Sequence, residues 1–277
     1  MLVCLNGHFI PREEATVAIS NGGFLYGDTL FETLKARGKK ILLVWQHLDR
    51  LEDAARLLDF PIDRERIERS LHELEAGLSA PVSRIRLTLS RGNFSTLTWP
   101  ATEEAHYLLT AVPYTEPDDA RRETGATCVL APNRRVNPLS HLPQVKRGNY
   151  ADCLYAYNHA HTADADEALF SDEEGNLLEG STSNIFALID QRLVTPPCTG
   201  LVLDGIMRRQ VIAAAAELGI PVSERPLPVT ELLTADEAFL TNSLIDILPL
   251  ATLDGQPLNR GDGWKSLLKT LRVRIET

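Results

Sequence analysis

The chain lacks most of the features that assign a protein at a glance. Its 277 residues include only four cysteines, Cys4, Cys128, Cys153 and Cys198, and no two are spaced as a CxxC pair. That argues against a disulfide-framed scaffold and fits reduced thiols in a cytoplasmic protein. No apolar run approaches the roughly 20 residues of a membrane span. The start, "MLVCLNGHFIPREEA", has no basic leader and no long apolar core, so no signal peptide is expected. Without secretion, the glycosylation sequon at Asn93 has no consequence. Excess positive charge is also missing. Lys and Arg number 28 against 38 Asp and Glu, and the net charge of −10 excludes a general affinity for nucleic acid or an anionic membrane. No GxGxxG follows a strand, and neither GxxxxGK[ST] nor GxSxG occurs. His159 and His161 lie two apart on an expected helix and point in different directions, so no metal site is expected from them.

What is present reads as an ordinary globular protein, 44% apolar and 24% charged. "LVCLNGHFI" reads as a hairpin turning at Asn6-Gly7, and "LFETLKARGKKILLV" as a second turning near Gly38. The Gly- and Asn-rich "SNGGFLYGD" between them reads as an ordered loop. Leu48, Leu51, Ala55 and Leu58 recur at helical spacing and predict a helix over 45–58, with another over 63–78. "VSRIRLTLS", "HYLLTAV" and "ATCVLAP" read as strands, and 150–161 as a helix. A strand series follows over 167–196, then a helix over 204–218 that Asp204 can cap and Gly219 ends. Strands and helices mix without steady βαβ alternation, which favours an α+β fold over a doubly wound sheet. The polar stretch from Pro113 to Gly125 suggests an N-terminal α/β domain over 1–115, a linker over 116–124 and a C-terminal domain over 125–277.

Four stretches could carry chemistry. "HLPQVKRGNY" places Lys146 between an apolar approach and a helix start. "NLLEGSTSNIF" sets Glu179 before small polar residues and an apolar strand. It is either a plain turn between strands or a buried carboxylate facing a cationic ring. In "GLVLDGIMRRQV" the first-turn N–H groups of Ile206 and Met207 lack intrahelical partners and favour a phosphate, as every helix start does. "FLTNSLIDILPL" could turn a strand end or supply donors to an anion through Asn242 and Ser243. Arg50, in "QHLDRL", is a further anion candidate, although the helical wheel puts it opposite the apolar stripe, where a solvated arginine is the plainer reading.

Together these stretches resemble the class IV aminotransferase family, the fold type IV enzymes that use pyridoxal 5'-phosphate (PLP). "FLYGDTLFETLKARGKKI", "HLDRL", "VKRGNY", "LLEGSTSNIF", "DGIMRR" and "TNSLIDILPL" fall in the family's order along nearly the whole chain. The resemblance implies that Lys146 forms the Schiff base with PLP and that Glu179 faces the pyridine nitrogen. It implies that Arg50, Ile206, Met207, Asn242 and Ser243 hold the phosphate, and that Tyr150 reaches the ring hydroxyl. An amine is a nucleophile and base only when neutral, so burial and a neighbouring cation such as Arg147 would serve Lys146. The resemblance further implies a homodimer acting on a small amino substrate, with the cofactor between a smaller N-terminal and a larger C-terminal domain. "YGDTLFET", the Lys-x-x-Asn-Tyr spacing and "TNSLIDILPL" point first to 4-amino-4-deoxychorismate lyase chemistry, which releases pyruvate and 4-aminobenzoate for folate synthesis. The alternative is a D-amino-acid or branched-chain aminotransferase. Phe31 and Arg91 are the expected substrate contacts. "SRGNFSTLTWPA" keeps Arg91-Gly92 but lacks the second Arg-Gly-Tyr common in such lyases.

Overall fold

A computed structural model describes residues 1–277. The chain divides into two compact units. The first comprises Met1–Glu116 together with Val145–Tyr150, and the second comprises Pro117–Gln144 and Ala151–Thr277. The lysine segment thus belongs to the first unit, although it lies beyond the expected linker.

The first unit runs β1 (Leu2–Leu5), β2 (His8–Phe9), α1 (Gly22–Tyr26), β3 (Thr29–Arg37), β4 (Lys40–Ile41), α2 (Val44–Leu57), α3 (Arg64–Gly77), β5 (Val82–Ser90) and β6 (His106–Pro113). The strands form one antiparallel sheet in the order β2-β1-β6-β5-β3-β4. Both expected hairpins are present, and left-handed Asn6 and Gly7 make the first turn. The expected loop over 20–28 contains α1, because Asn21 caps it by accepting the Gly23 N–H. Leu30, Leu34 and Ala36 of β3 pack with Leu48, Leu51 and Ala55 of α2 and Ile67 and Leu71 of α3 in one core.

The second unit runs α4 (Asp119–Thr124), β7 (Ala126–Leu130), α5 (Ala151–Thr162), β8 (Glu167–Ser171), β9 (Asn176–Gly180), β10 (Asn184–Ile189), β11 (Arg192–Thr195), α6 (Ile206–Glu217), β12 (Val222–Glu224), β13 (Leu227–Pro228), α7 (Val229–Leu232), β14 (Glu237–Asn242), β15 (Asp246–Leu253), β16 (Gln256–Pro257) and α8 (Gly263–Glu276). Its ten-stranded sheet has the order β12-β11-β10-β14-β15-β7-β8-β9-β13, with β16 on β15. It is mixed: β7 pairs parallel with both β8 and β15, and β11 with β12, while the rest are antiparallel. The two sheets with segregated helices are the α+β arrangement expected. The stretch read as a linker holds α4, started by Asp118 accepting the Arg121 N–H.

Candidate active site

In the first unit the lysine segment docks as an extra strand. The Phe31 N–H donates to the Lys146 carbonyl at 3.0 Å and the Gly148 N–H to the Thr29 carbonyl at 2.7 Å. Leu30 and Arg147 form an antiparallel bridge. β4 covers only the far end of β3, at Ala36 and Arg37, which leaves the Thr29–Phe31 edge to this segment. Residue 148 has to be glycine, since a Cβ there would lie 2.0 Å from Thr29 Oγ1 and 2.9 Å from the Gly27 carbonyl. The docking brings three expected site residues together. Lys146 Nζ lies 4.6 Å from the Phe31 ring centroid, and Tyr150 meets that ring edge-on at 5.6 Å. Arg86, which the sequence reading missed, puts its guanidinium carbon 3.9 Å from the same centroid. The β5 pattern "SRIRLTLS" faces Arg86 away from the core, so in sequence it resembles any outward arginine.

Behind Phe31, the opposite face of β3 carries Glu32, and α2 answers it. Arg50 holds Glu32 with two bonds, Nε to Oε1 at 2.8 Å and Nη2 to Oε2 at 2.6 Å. His47 Nδ1 lies 2.6 Å from Glu32 Oε2. Burial opposes the charge on Glu32, but Arg50 and His47 outweigh it and hold the carboxyl at about 2. Burial pushes His47 below its ordinary value. A neutral ring bonds an ionised carboxylate only through an Nδ1–H. Arg50 is therefore no solvated arginine. Its side chain is 12% exposed, since a strand carboxylate invisible to the helical wheel pulls it inward.

Arg91 is brought elsewhere. Its Nε donates to Asp28 Oδ2 at 3.0 Å, and its other nitrogens donate to the Asp59 and Leu58 carbonyls. Phe60 and Trp99 cover the guanidinium at 3.7 and 4.2 Å from their centroids. This arginine ties loops of the first unit together.

In the second unit, Glu179 is the penultimate residue of β9 and is buried, so the turn and the buried carboxylate are both real. Its Oε1 accepts from Arg135 Nε at 2.8 Å, and Oε2 accepts from the Leu203 N–H at 2.9 Å. Arg135 is the second residue missed, because it sits in a polar stretch without periodicity. The turn that follows Glu179 is fixed by buried Glu167. That carboxylate accepts the Ser181 and Thr182 N–H groups at 3.1 Å each, and the hydroxyls of Ser181, Thr182 and Ser183.

The helix α6 begins at Ile206 with Gly205 as its N-cap, and no side chain caps it. Asp204, the expected cap, instead pairs with Arg209 at 2.7 Å. A Cβ on Gly205 would lie 2.1 Å from Asn184 Oδ1, so a Ser or Asp cap cannot stand there. The first-turn N–H groups of Ile206 and Met207 are thereby left without a side-chain acceptor, while both side chains are buried in the core. Asn242 uses its amide on two turns, its own and the one that follows Glu179. Its Oδ1 accepts from the N–H groups of Leu244 and Ile245, and its Nδ2 donates to the Thr182 carbonyl. Asn242 thus shapes the turn that carries Ser243.

A family model, amino-transferase class IV, matches residues 29–253. The chain belongs to the class IV aminotransferase family. It is 34% identical over 263 residues to the putative branched-chain-amino-acid aminotransferase of Methanocaldococcus jannaschii, covering 94% of this chain and 90% of that one. It is 30% identical over 260 residues to the D-alanine aminotransferase of Listeria monocytogenes, covering 92% and 88%. Among solved structures, the branched-chain aminotransferase of the thermophilic archaeon Thermoproteus uzoniensis with norvaline aligns with a TM-score of 0.89 and 27% identity, over 99% and 94% of the two chains. The 4-amino-4-deoxychorismate lyase of Pseudomonas aeruginosa gives 0.88 and 28%, over 100% of each. The fold is that of the fold type IV PLP enzymes.

Proposed function

We propose that the protein is a PLP-dependent aminotransferase for amino acids of the branched-chain type, with Lys146 carrying the cofactor. The observation that carries this choice is the 34% identity to a putative branched-chain aminotransferase along 94% of the chain. It reverses the order expected from the motifs, in which the lyase came first.

The residues present fit the cofactor. An uncapped helix start at Gly205–Met207 suits a dianionic phosphate, and buried Glu179 suits a protonated ring nitrogen. When bound, PLP supplies the electron sink that lets a substrate Cα–H bond ionise. Lys146 moves the proton at that carbon, and its place beside Phe31 limits the water around its amine. Glu179 holds the proton on the pyridine nitrogen. Ser243 and Arg50 are the remaining phosphate donors in this reading, with Glu32 fixing the Arg50 fork. Tyr150, set by the Phe31 ring, orients the ring hydroxyl. Arg86 supplies a guanidinium for a substrate carboxylate, and Phe31 an apolar wall for its side chain.

The working form is a homodimer. In support, α5 leaves Leu154 and Tyr155 about 60% exposed, and α1 leaves Phe24 70% exposed, more apolar surface than a monomer's helices need.

The test feeds purified protein L-leucine or D-alanine with 2-oxoglutarate, and separately aminodeoxychorismate. Glutamate formed from L-leucine is the expected result. Release of 4-aminobenzoate with no glutamate would replace this reading with the lyase, which the full-length match to the Pseudomonas enzyme favours.

A further inference from the structure

Glu179 is one corner of a buried ionic cluster inside the second unit. Arg135 bridges two acids, donating through Nε to Glu179 at 2.8 Å and through Nη1 to Asp152 at 2.5 Å. The side chains of Arg135, Glu179 and Asp152 are 7%, 6% and 11% exposed. Asp152, in the first turn of α5, also accepts the Val136 N–H at 3.0 Å. Gln144, with its amide oxygen turned inward, accepts from Arg135, and the Phe170 ring lies 5.7 Å from the guanidinium carbon. Leu203 N–H and Asn184 Nδ2 face the second Glu179 oxygen. Two thiols are also neighbours, Cys153 near Arg135 and Cys198 near Glu179. Burial pushes Cys198 up to about 11, so it is neutral near pH 7; Arg208, Asp204 and Glu224 act on it more weakly.

One guanidinium between two carboxylates leaves a net charge of −1. A single acid would neutralise Arg135, and a second buried acid costs free energy unless a cation meets it. A protonated pyridine nitrogen is such a cation. With Asp152 absent, Arg135 would draw fully on Glu179 and cancel the charge shown to the ring.

We propose that Arg135 and Asp152 are positioning residues that set the charge Glu179 presents to the cofactor nitrogen. Arg135 fixes the carboxylate, and Asp152 offsets the charge of Arg135. The inference rests on the reading that Glu179 faces that nitrogen.

The experiment titrates the visible band of the lysine-bound cofactor with pH in the holoenzyme, for wild type, Asp152→Asn, Arg135→Gln and the double variant. Removing a negative charge disfavours the protonated, visible form, so Asp152→Asn lowers the midpoint by roughly half a unit or more. Arg135→Gln raises it by a similar amount. The double variant restores a net −1 and returns close to wild type. Arg135→Lys, which keeps the charge, stays near wild type and covers the case in which Arg135→Gln does not fold. Shifts of one sign in both single variants, or no shift in either, overturn the proposal while leaving the cofactor assignment standing. A wild type with no visible band on saturation with PLP overturns the functional reading and this inference with it.

Discussion

A carboxylate such as Glu179 stays ionised in the interior only when donors and cations surround it, and here Arg135 and the Leu203 N–H do so. Glu179→Gln keeps the shape and loses the charge. The expected outcome is a variant that still binds PLP but turns over roughly 10²-fold more slowly, the loss typical of removing one electrostatic stabiliser. Steady-state rates on PLP-saturated protein check it, and wild-type turnover would reduce Glu179 to a turn residue. Lys146 and Glu179 could be put forward from the sequence because each sits in a recognisable stretch. Arg135 and Arg86 could not, since an arginine has no local signature and its partner decides its place. The same blindness hid the partners of Arg91, since Asp28, Leu58 and Asp59 are far away in sequence.

Elements decide where such residues stand. The edge of β3 receives the lysine segment through two backbone hydrogen bonds, and Gly148 permits the close approach. Gly148→Ala places a methyl against Thr29 and the Gly27 carbonyl, so the segment has to lift off. We expect a loss of about 1–3 kcal/mol of stability from overpacking, with weaker retention of PLP on dialysis. Urea unfolding and the visible absorbance measure the two effects, and unchanged values in both would show that the docking is incidental. Helix and strand periods gave most elements to within a residue or two. They could not show that Val145–Tyr150 returns to the first sheet, because that pairing spans more than a hundred residues. Likewise the stripe on α2 was visible, but Glu32 reaching Arg50 from a strand was not.

At the scale of the whole molecule, ion pairs out of bulk water set the acid limit. Glu32, held by Arg50 and His47, and Glu116, held by Arg37 and Lys35, both sit at about 2 against an ordinary 4.5, because these partners outweigh burial. A depressed carboxyl contributes stability that is full above its ordinary value and is lost as pH falls through the folded one. Fully buried Glu32 contributes on the order of 3 kcal/mol at neutral pH, and Glu116, which solvent screens in part, contributes less. His47, held low by burial, acts in the same direction, since unfolding lets it take up a proton. The urea midpoint is therefore expected to begin falling below about pH 6.5, as His47 gains a proton on unfolding, and to fall most steeply between about 4.5 and 2. In Glu32→Gln the step should shrink and stability at pH 7 should drop, and a step of unchanged size would remove Glu32 from this account. The α+β class and the family were legible from the order of motifs along the chain. The choice between lyase and aminotransferase was not, because those motifs serve the cofactor, which both reactions share.

In the proposed reading this chain carries PLP on Lys146. The measurement that tests it most directly is borohydride reduction of PLP-saturated protein, followed by peptide mapping. One pyridoxyl group is expected, on Lys146, in the peptide that contains Val145–Tyr150. A label on another lysine, or none, would contradict it.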